Sequence, residues 1–329
     1  MNPLPEVIDA LGATSVWTYL ALFLAASLLM IWRLEALLDH GLEGTALATL
    51  VMPYCSGLGN LIFVALIAAR HGPGQEVVTN CLVNNVTNLT LVLGLPALFW
   101  GLDLGGGGKP AKAAKQTEQQ LTRLSLLLTL TAVLFFSGVT WALADDGRLD
   151  RRDGLVLIAL FLFWQCFQVF DVLKHNVRQR QSFGPLFYLD LIFVLLGAFA
   201  LYTSIDWLVD WLAAQKGDFI NAGNIGWLSG WLMVLPNALL AFFYAARHRA
   251  DIAFASQVGD GHICIPLCLG ASALVQPIPT PAFFQTSMAI LMGAALVHTG
   301  CVLFANGLPR WMGWPLLAAY AWFLAAGLM

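Results

Sequence analysis

Apolar residues fall along this chain in runs of roughly 20, the length that carries a helix across the hydrocarbon of a bilayer, and most charged residues sit in the gaps between them. Ten such runs are predicted, at about 14–34, 45–69, 77–100, 124–144, 154–173, 186–206, 223–246, 252–275, 283–304 and 313–329. The pattern predicts an all-α integral membrane protein of ten transmembrane helices. Only one gap is long, residues 101–123, where a glycine run is followed by a Lys/Gln/Glu-rich stretch. That composition reads as flexible linker and solvated helix start rather than as a separate domain.

Composition adds mainly exclusions. With 59% apolar and 11% charged residues, the 329-residue chain cannot be a soluble globular protein. The net charge of −3 includes no basic block suited to nucleic acid, so the lipid bilayer is the one partner composition names, and the oligomeric state is left open. Before the first run the charges are Glu6 and Asp9, and the first basic residue is Arg33, so the first helix is expected to be retained rather than cleaved as a signal. Eleven Lys and Arg follow the odd-numbered helices and five follow the even-numbered ones. The positive-inside rule then puts both termini outside, and the expected location is a bacterial inner (plasma) membrane. All six cysteines lie in predicted spans without a CxxC pair, as small apolar residues would.

The third run departs from its neighbours, because it carries Asn80, Asn84, Asn85 and Asn88. A partnerless amide in hydrocarbon costs several kcal/mol. Asn80, Asn84 and Asn88 are spaced i, i+4, i+8 and share one helix face, which points to a polar cavity rather than a lipid-facing wall. Isolated asparagines in membranes more often tie helices together; a stripe of three with a fourth beside it favours a site.

An internal repeat gives the stripe a counterpart. Ala68-Ala69-Arg70-His71 recurs as Ala245-Ala246-Arg247-His248, an offset of 177 that also matches Leu58 with Leu235 and Asn60 with Asn237. After one residue is dropped in the following loop the offset is 176, and Asn80, Asn84 and Asn88 meet Ser256, Asp260 and Cys264. The predicted organisation is a first repeat of helices one to three with its linker (1–123), completed by helices four and five (124–173), and a second repeat over 174–329. Five helices per repeat force the second copy to run through the membrane inverted. Inverted repeats of this kind place a transport site near the midplane, between interrupted helices. Pro53, Gly57, Gly59, Pro236, Gly259, Gly261 and Pro266 are the expected interruptions in helices two, seven and eight.

At these positions the chain resembles the cation/calcium exchanger superfamily, the sodium/calcium exchangers and their relatives. Leu58-Gly59-Asn60-Leu61 and Leu235-Pro236-Asn237-Ala238 are similar to its Ser-Leu-Pro-Glu-Leu element. The stretches 79–88 and 255–264 are similar to its Gly-Asn-x-x-Gly-Ser-Asn-x-x-Asn/Asp element. The resemblance implies the exchanger fold, no cofactor, and a transported inorganic cation held by Asn60, Asn84, Asn85, Asn88, Asn237 and Asp260. Asn80, Ser256, His262 and Cys264 are possible accessory groups, and Asp260, Asn60 and Asn237 are the direct ion ligands it would favour. In that family the positions of Asn60 and Asn237 hold glutamates that bind calcium, so this chain would keep one carboxylate, Asp260. Calcium is normally held by six to eight oxygens including several carboxylates, whereas one formal charge suits sodium or a proton.

The expected function is therefore cation antiport coupled to sodium or protons by alternating access, with calcium specificity set aside. The alternative is an exchange-deficient relative that serves as a sensor, an assembly component or a carrier of a non-cationic solute. An enzyme is not expected, since Asp260 and His262 are too few groups for a catalytic constellation.

Overall fold

The computed structural model describes residues 15–39, 52–104, 113–176 and 185–329. The start of the predicted second helix before Met52, and Lys109, Lys112, Arg178 and Arg180, lie outside the described residues, as do the side chains of Pro53, Cys55, Lys115, Asp171 and Lys174. The helices are α1 (Ser15–Asp39), α2 (Met52–Ala69), α3 (Gly74–Thr87), α4 (Leu93–Trp100), α5 (Ala113–Leu143), α6 (Arg151–Asn176), α7 (Pro185–Ala214), α8 (Ile225–Ala246), α9 (Ala250–His262), α10 (Leu269–Val275), α11 (Phe284–Ala305) and α12 (Gly313–Leu328). Single π-helical turns, Asn88–Val92 and Ile263–Cys268, join α3 to α4 and α9 to α10. Among the described residues nine helical stretches are long and apolar enough to cross a membrane, and α2 supplies a tenth, shorter one.

Burial ranks the spans. Gly74–Trp100 and Ala250–Val275 each have 78% of their most apolar window inside the protein, against 17–44% for the other long spans, so these two form the centre and the rest surround them. The asparagine helix and its repeat partner are thus the core of the bundle, where lipid cannot reach their amides.

Backbone geometry carries the inverted repeat beyond the residues that show it in sequence. His71 and His248, 177 apart, both adopt left-handed conformations, with φ of 52° and 58°. Strands β1 (Leu102–Asp103) and β3 (Ile278–Pro279) lie 176 apart. β1 pairs antiparallel with β4 (Gly307–Leu308) in the register Leu102↔Leu308, and β2 (Arg148–Leu149) pairs with β3 in the register Leu149↔Ile278. Each pairing joins a loop of one repeat to a loop of the other, and the two pairings sit at opposite ends of the bundle.

The interruptions agree with expectation in span eight and differ elsewhere. Helices α2 and α8 run unbroken, Pro236 being accommodated inside α8, as membrane helices allow when neighbouring helices satisfy the freed carbonyl. The breaks are the two π turns: the one in span eight contains Pro266, as expected, and the one in span three, Asn88–Val92, was not expected. Gly57 and Gly59 serve close packing: a Cβ at Gly57 would lie 2.8 Å from Ile263 Cγ2, and one at Gly59 would lie 2.5 Å from Met233 Sδ. Two boundaries also shift. The stretch 113–123, read as the end of the linker and a solvated helix start, belongs to α5, and α7 extends past 206 to Ala214.

Charges outside the core are used locally. Arg70 pairs with Asp206 and Asp210, Arg33 with Asp190 at 3.1 Å, and Arg249 with Asp251 at 3.2 Å. At the start of α6, Asp150 accepts from the amides of Arg152 (2.7 Å) and Asp153 (3.2 Å), while Asp153 accepts from the amide of Asp150 at 2.7 Å. This reciprocal cap satisfies N–H groups that the helix itself cannot.

Candidate ion-binding site

Five of the residues singled out from sequence meet as one hydrogen-bonded chain through the centre of the bundle. Asn84 Nδ2 donates to Asn60 Oδ1 at 3.4 Å, and Asn88 Nδ2 donates to Asn84 Oδ1 at 3.0 Å. Asn88 Nδ2 also donates to Asp260 Oδ2 at 3.1 Å, and Asn237 Nδ2 reaches the same oxygen at 2.5 Å. All five are at most 1% exposed. Helix α2 supplies Asn60, α3 Asn84, α8 Asn237 and α9 Asp260, and Asn88 opens the first π turn.

Local sequence explains how four amides and a carboxylate can share this space. Asn84 and Asn88 are one turn apart on α3 and so stack toward the same neighbour. Immediately after Asn88, in the π turn, the carbonyl oxygen of Leu89 accepts from His298 Nε2–H at 2.7 Å. The π turn and His298 together fix the backbone that carries Asn88.

Electrostatically the cluster holds a single carboxylate, which Asn88 and Asn237 meet with amide donors. Burying an isolated charge is costly unless it is paired or hydrogen-bonded; two N–H groups on one carboxylate oxygen meet part of that demand. Asn88 Oδ1 and Asn60 Nδ2 have no hydrogen-bond partner. A primary amide carries both donor and acceptor, so a half-turn of its terminal torsion exchanges N–H for oxygen toward the same neighbour. The site can therefore present amide N–H groups to a carboxylate or amide oxygens to a cation. A narrow cleft between α1, α2, α7 and α8, lined by Phe23, Ser27, Ile31, Gly59, Met233 and Asn237, reaches the edge of this cluster.

The other sequence candidates lie elsewhere. Asn85 Nδ2 donates to the carbonyl of Cys81 at 2.7 Å, and Asn80 Nδ2 to Ser229 Oγ at 2.9 Å. Ser256 is half-buried and accepts from Gln257 at 2.8 Å. His262 Nε2 lies 3.1 Å from the carbonyl oxygen of Thr129, with its ring among Phe136 and Trp164, on the side of α9 away from Asp260. Cys264 neighbours Cys268, Cys81 and Asn85. Among the described residues no group of three or more His, Cys, Asp and Glu is arranged to hold a metal ion.

Sequence reasoning passed over two residues. Gln257 donates to the carbonyl of Asn237 at 3.1 Å, and its Oε1 has no partner; its spacing of three before Asp260 was the available signal. Glu76 is 7% exposed and lies one turn before Asn80 on the asparagine face; extending the i, i+4 stripe backward would have found it.

Comparison with known proteins agrees with this architecture. Residues 12–170 and 189–329 match the profile of the sodium/calcium exchanger protein family. The fold is similar to the sodium-calcium exchanger NCX_Mj soaked with 2.5 mM Na+ and 10 mM Sr2+, at 19% identity and a TM-score of 0.66, over 94% of this chain and 96% of that one. It is also similar to the same exchanger soaked without Na+ and Ca2+, at 20% identity and a TM-score of 0.63, over 93% and 95%. No curated protein sequence gives a match. The structural likeness speaks for the fold, and the profile spans both five-helix halves with their central helices. The chain belongs to the sodium/calcium exchanger family, and is an integral membrane cation antiporter rather than an enzyme.

Proposed function

We propose that this antiporter exchanges its cation against sodium or protons by alternating access, with Asp260 as the charge for which the cation and the coupling ion compete, and that it is not a calcium-specific exchanger. The carrying observation is the chain Asn60–Asn84–Asn88–Asp260–Asn237, which draws on both repeats and contains one carboxylate. A divalent ion beside one carboxylate keeps about one uncompensated charge in a low-dielectric interior, whereas sodium or a proton is neutralised. An ionisable group at this depth is retained at a cost of roughly 2.5–3.5 kcal/mol, which favours a functional role. Asn60, Asn84, Asn88 and Asn237 supply the neutral oxygens, while Asn85, Asn80, Ser256 and His262 bond outside this chain of contacts. In this reading both termini face outward, on the asymmetry of Lys and Arg between the two sets of loops.

Ion flux into proteoliposomes tests it. Sodium or proton gradients should drive exchange in the native protein and fail to do so in Asp260→Asn; undiminished exchange in that variant would remove Asp260 from the site.

A further inference from the structure

Glu76 is a buried carboxylate that the central site does not use. It sits in the first turn of α3, 7% exposed, and among the described residues no arginine, lysine or histidine pairs with it. One of its oxygens accepts from the amide of Gly226 at 2.6 Å, in the first turn of α8, whose dipole supplies about half a positive charge. Ser229 Oγ donates to the carbonyl of Gly226 at 3.3 Å and receives Asn80 Nδ2 at 2.9 Å. Asn80 is fully buried, and its Oδ1 has no partner. A carboxylate, a hydroxyl and a buried amide with an unpartnered oxygen are therefore linked through Gly226 and Ser229 along the contact of α3 with α8.

The placement relates this group to the central site. Glu76, Asn80, Asn84 and Asn88 follow one another at intervals of four, so Glu76 lies about 18 Å along α3 from Asn88 at 1.5 Å per residue. The feature exists in one repeat only, because the residue 176 positions on from Glu76 is Ile252.

We infer that Glu76, Asn80 and Ser229 form a second binding site for a monovalent cation of the sodium class, on the route between the 71–74 end of the bundle and Asp260. The inference rests on the proposed cation coupling at Asp260. Hard oxygen donors with one negative charge select a small monovalent cation over a soft metal, and the ion would complete the charge balance that the α8 dipole begins. Because the inverted copy lacks the carboxylate, the site acts from one membrane face.

Thermal unfolding of the purified full chain, in sodium chloride against choline chloride at equal ionic strength, tests this. Glu76→Gln keeps an oxygen for the Gly226 amide and removes only the charge. Native protein should show the largest sodium-dependent rise in midpoint, Asp260→Asn and Glu76→Gln a smaller one each, and the double variant none. An Asp260→Asn protein without any sodium response overturns the second site. An Asp260→Asn protein matching the native one, with no response in Glu76→Gln, leaves the second site standing and overturns the central assignment; no response in native protein overturns both. In proteoliposomes Glu76→Gln should raise the half-saturating sodium concentration at least threefold at one face and leave the other unchanged. An equal change at both faces, or none, overturns the inference.

Discussion

Asn88 of the first repeat donates to Asp260 of the second across 3.1 Å, and this bond joins the two halves of the protein at the central carboxylate. Asn237 holds the same oxygen from α8. Both contacts are made by amide N–H donors.

Truncating either amide tests that arrangement. Hydrogen bonds to charged groups contribute about 1.5–3 kcal/mol, so Asn237→Ala and Asn88→Ala should each lower stability by about that amount in detergent. Additivity in the double variant would fail, because the two share one acceptor. A strictly additive pair in thermal or denaturant unfolding would contradict the shared contact.

Charge number should set ion selectivity. Asn60→Glu with Asn237→Glu would place two further carboxylates beside Asp260, and calcium affinity rises with ligand charge. The double variant is expected to gain a calcium-dependent rise in unfolding midpoint that the native protein lacks. Calcium stabilisation of native protein equal to that of the variant would refute the argument from charge.

Close approach of α3 and α8 makes Gly226 and Gly230 sensitive positions. A Cβ at Gly226 would lie 2.5 Å from the carbonyl oxygen of Glu76, and one at Gly230 would lie 2.7 Å from Val83 Cβ. Overpacking of this kind costs about 1–3 kcal/mol. Gly226→Ala and Gly230→Ala should each unfold earlier, while Gly293→Ala, with open space around it, should not.

A pH effect is expected at the start of α6. The amides of Asp153 and Arg152 hold the Asp150 carboxyl below its ordinary range. A carboxylate depressed in the folded state adds stability above its unfolded pKa and loses it as pH falls through the folded value. The unfolding midpoint of native protein should therefore fall in the acid range by more than that of Asp150→Ala. Parallel curves for the two proteins would show that the cap contributes nothing.

The ten spans and the inverted layout were legible because length, apolarity and an odd helix count per repeat are properties of the chain itself. Asn60, Asn84, Asn88, Asn237 and Asp260 were legible for a similar reason, since i, i+4 spacing and the 176–177 offset place them on facing surfaces. Asn84 and Asn85 show the limit: neighbours in sequence point about 100° apart on a helix, and only packing decides which faces the carboxylate. The first π turn left no local signature, whereas Pro266 marked the second; the prolines and glycines of α2 and α8 drew further expected breaks to helices that run unbroken. Glu76 escaped notice because a charge near a helix end reads as solvated until its burial is known.

The offset between the halves changes from 177 at His71 and His248 to 176 at Leu102 and Ile278. One residue has thus been gained or lost between the copies, and it lies in the short turns that lead into α3 and α9. Inside either helix the same event would have rotated everything beyond it by about 100°, carrying Asp260 out of reach of Asn88 and Asn237. The length difference falls ahead of both helices, and the facing of the one central carboxylate depends on its lying there.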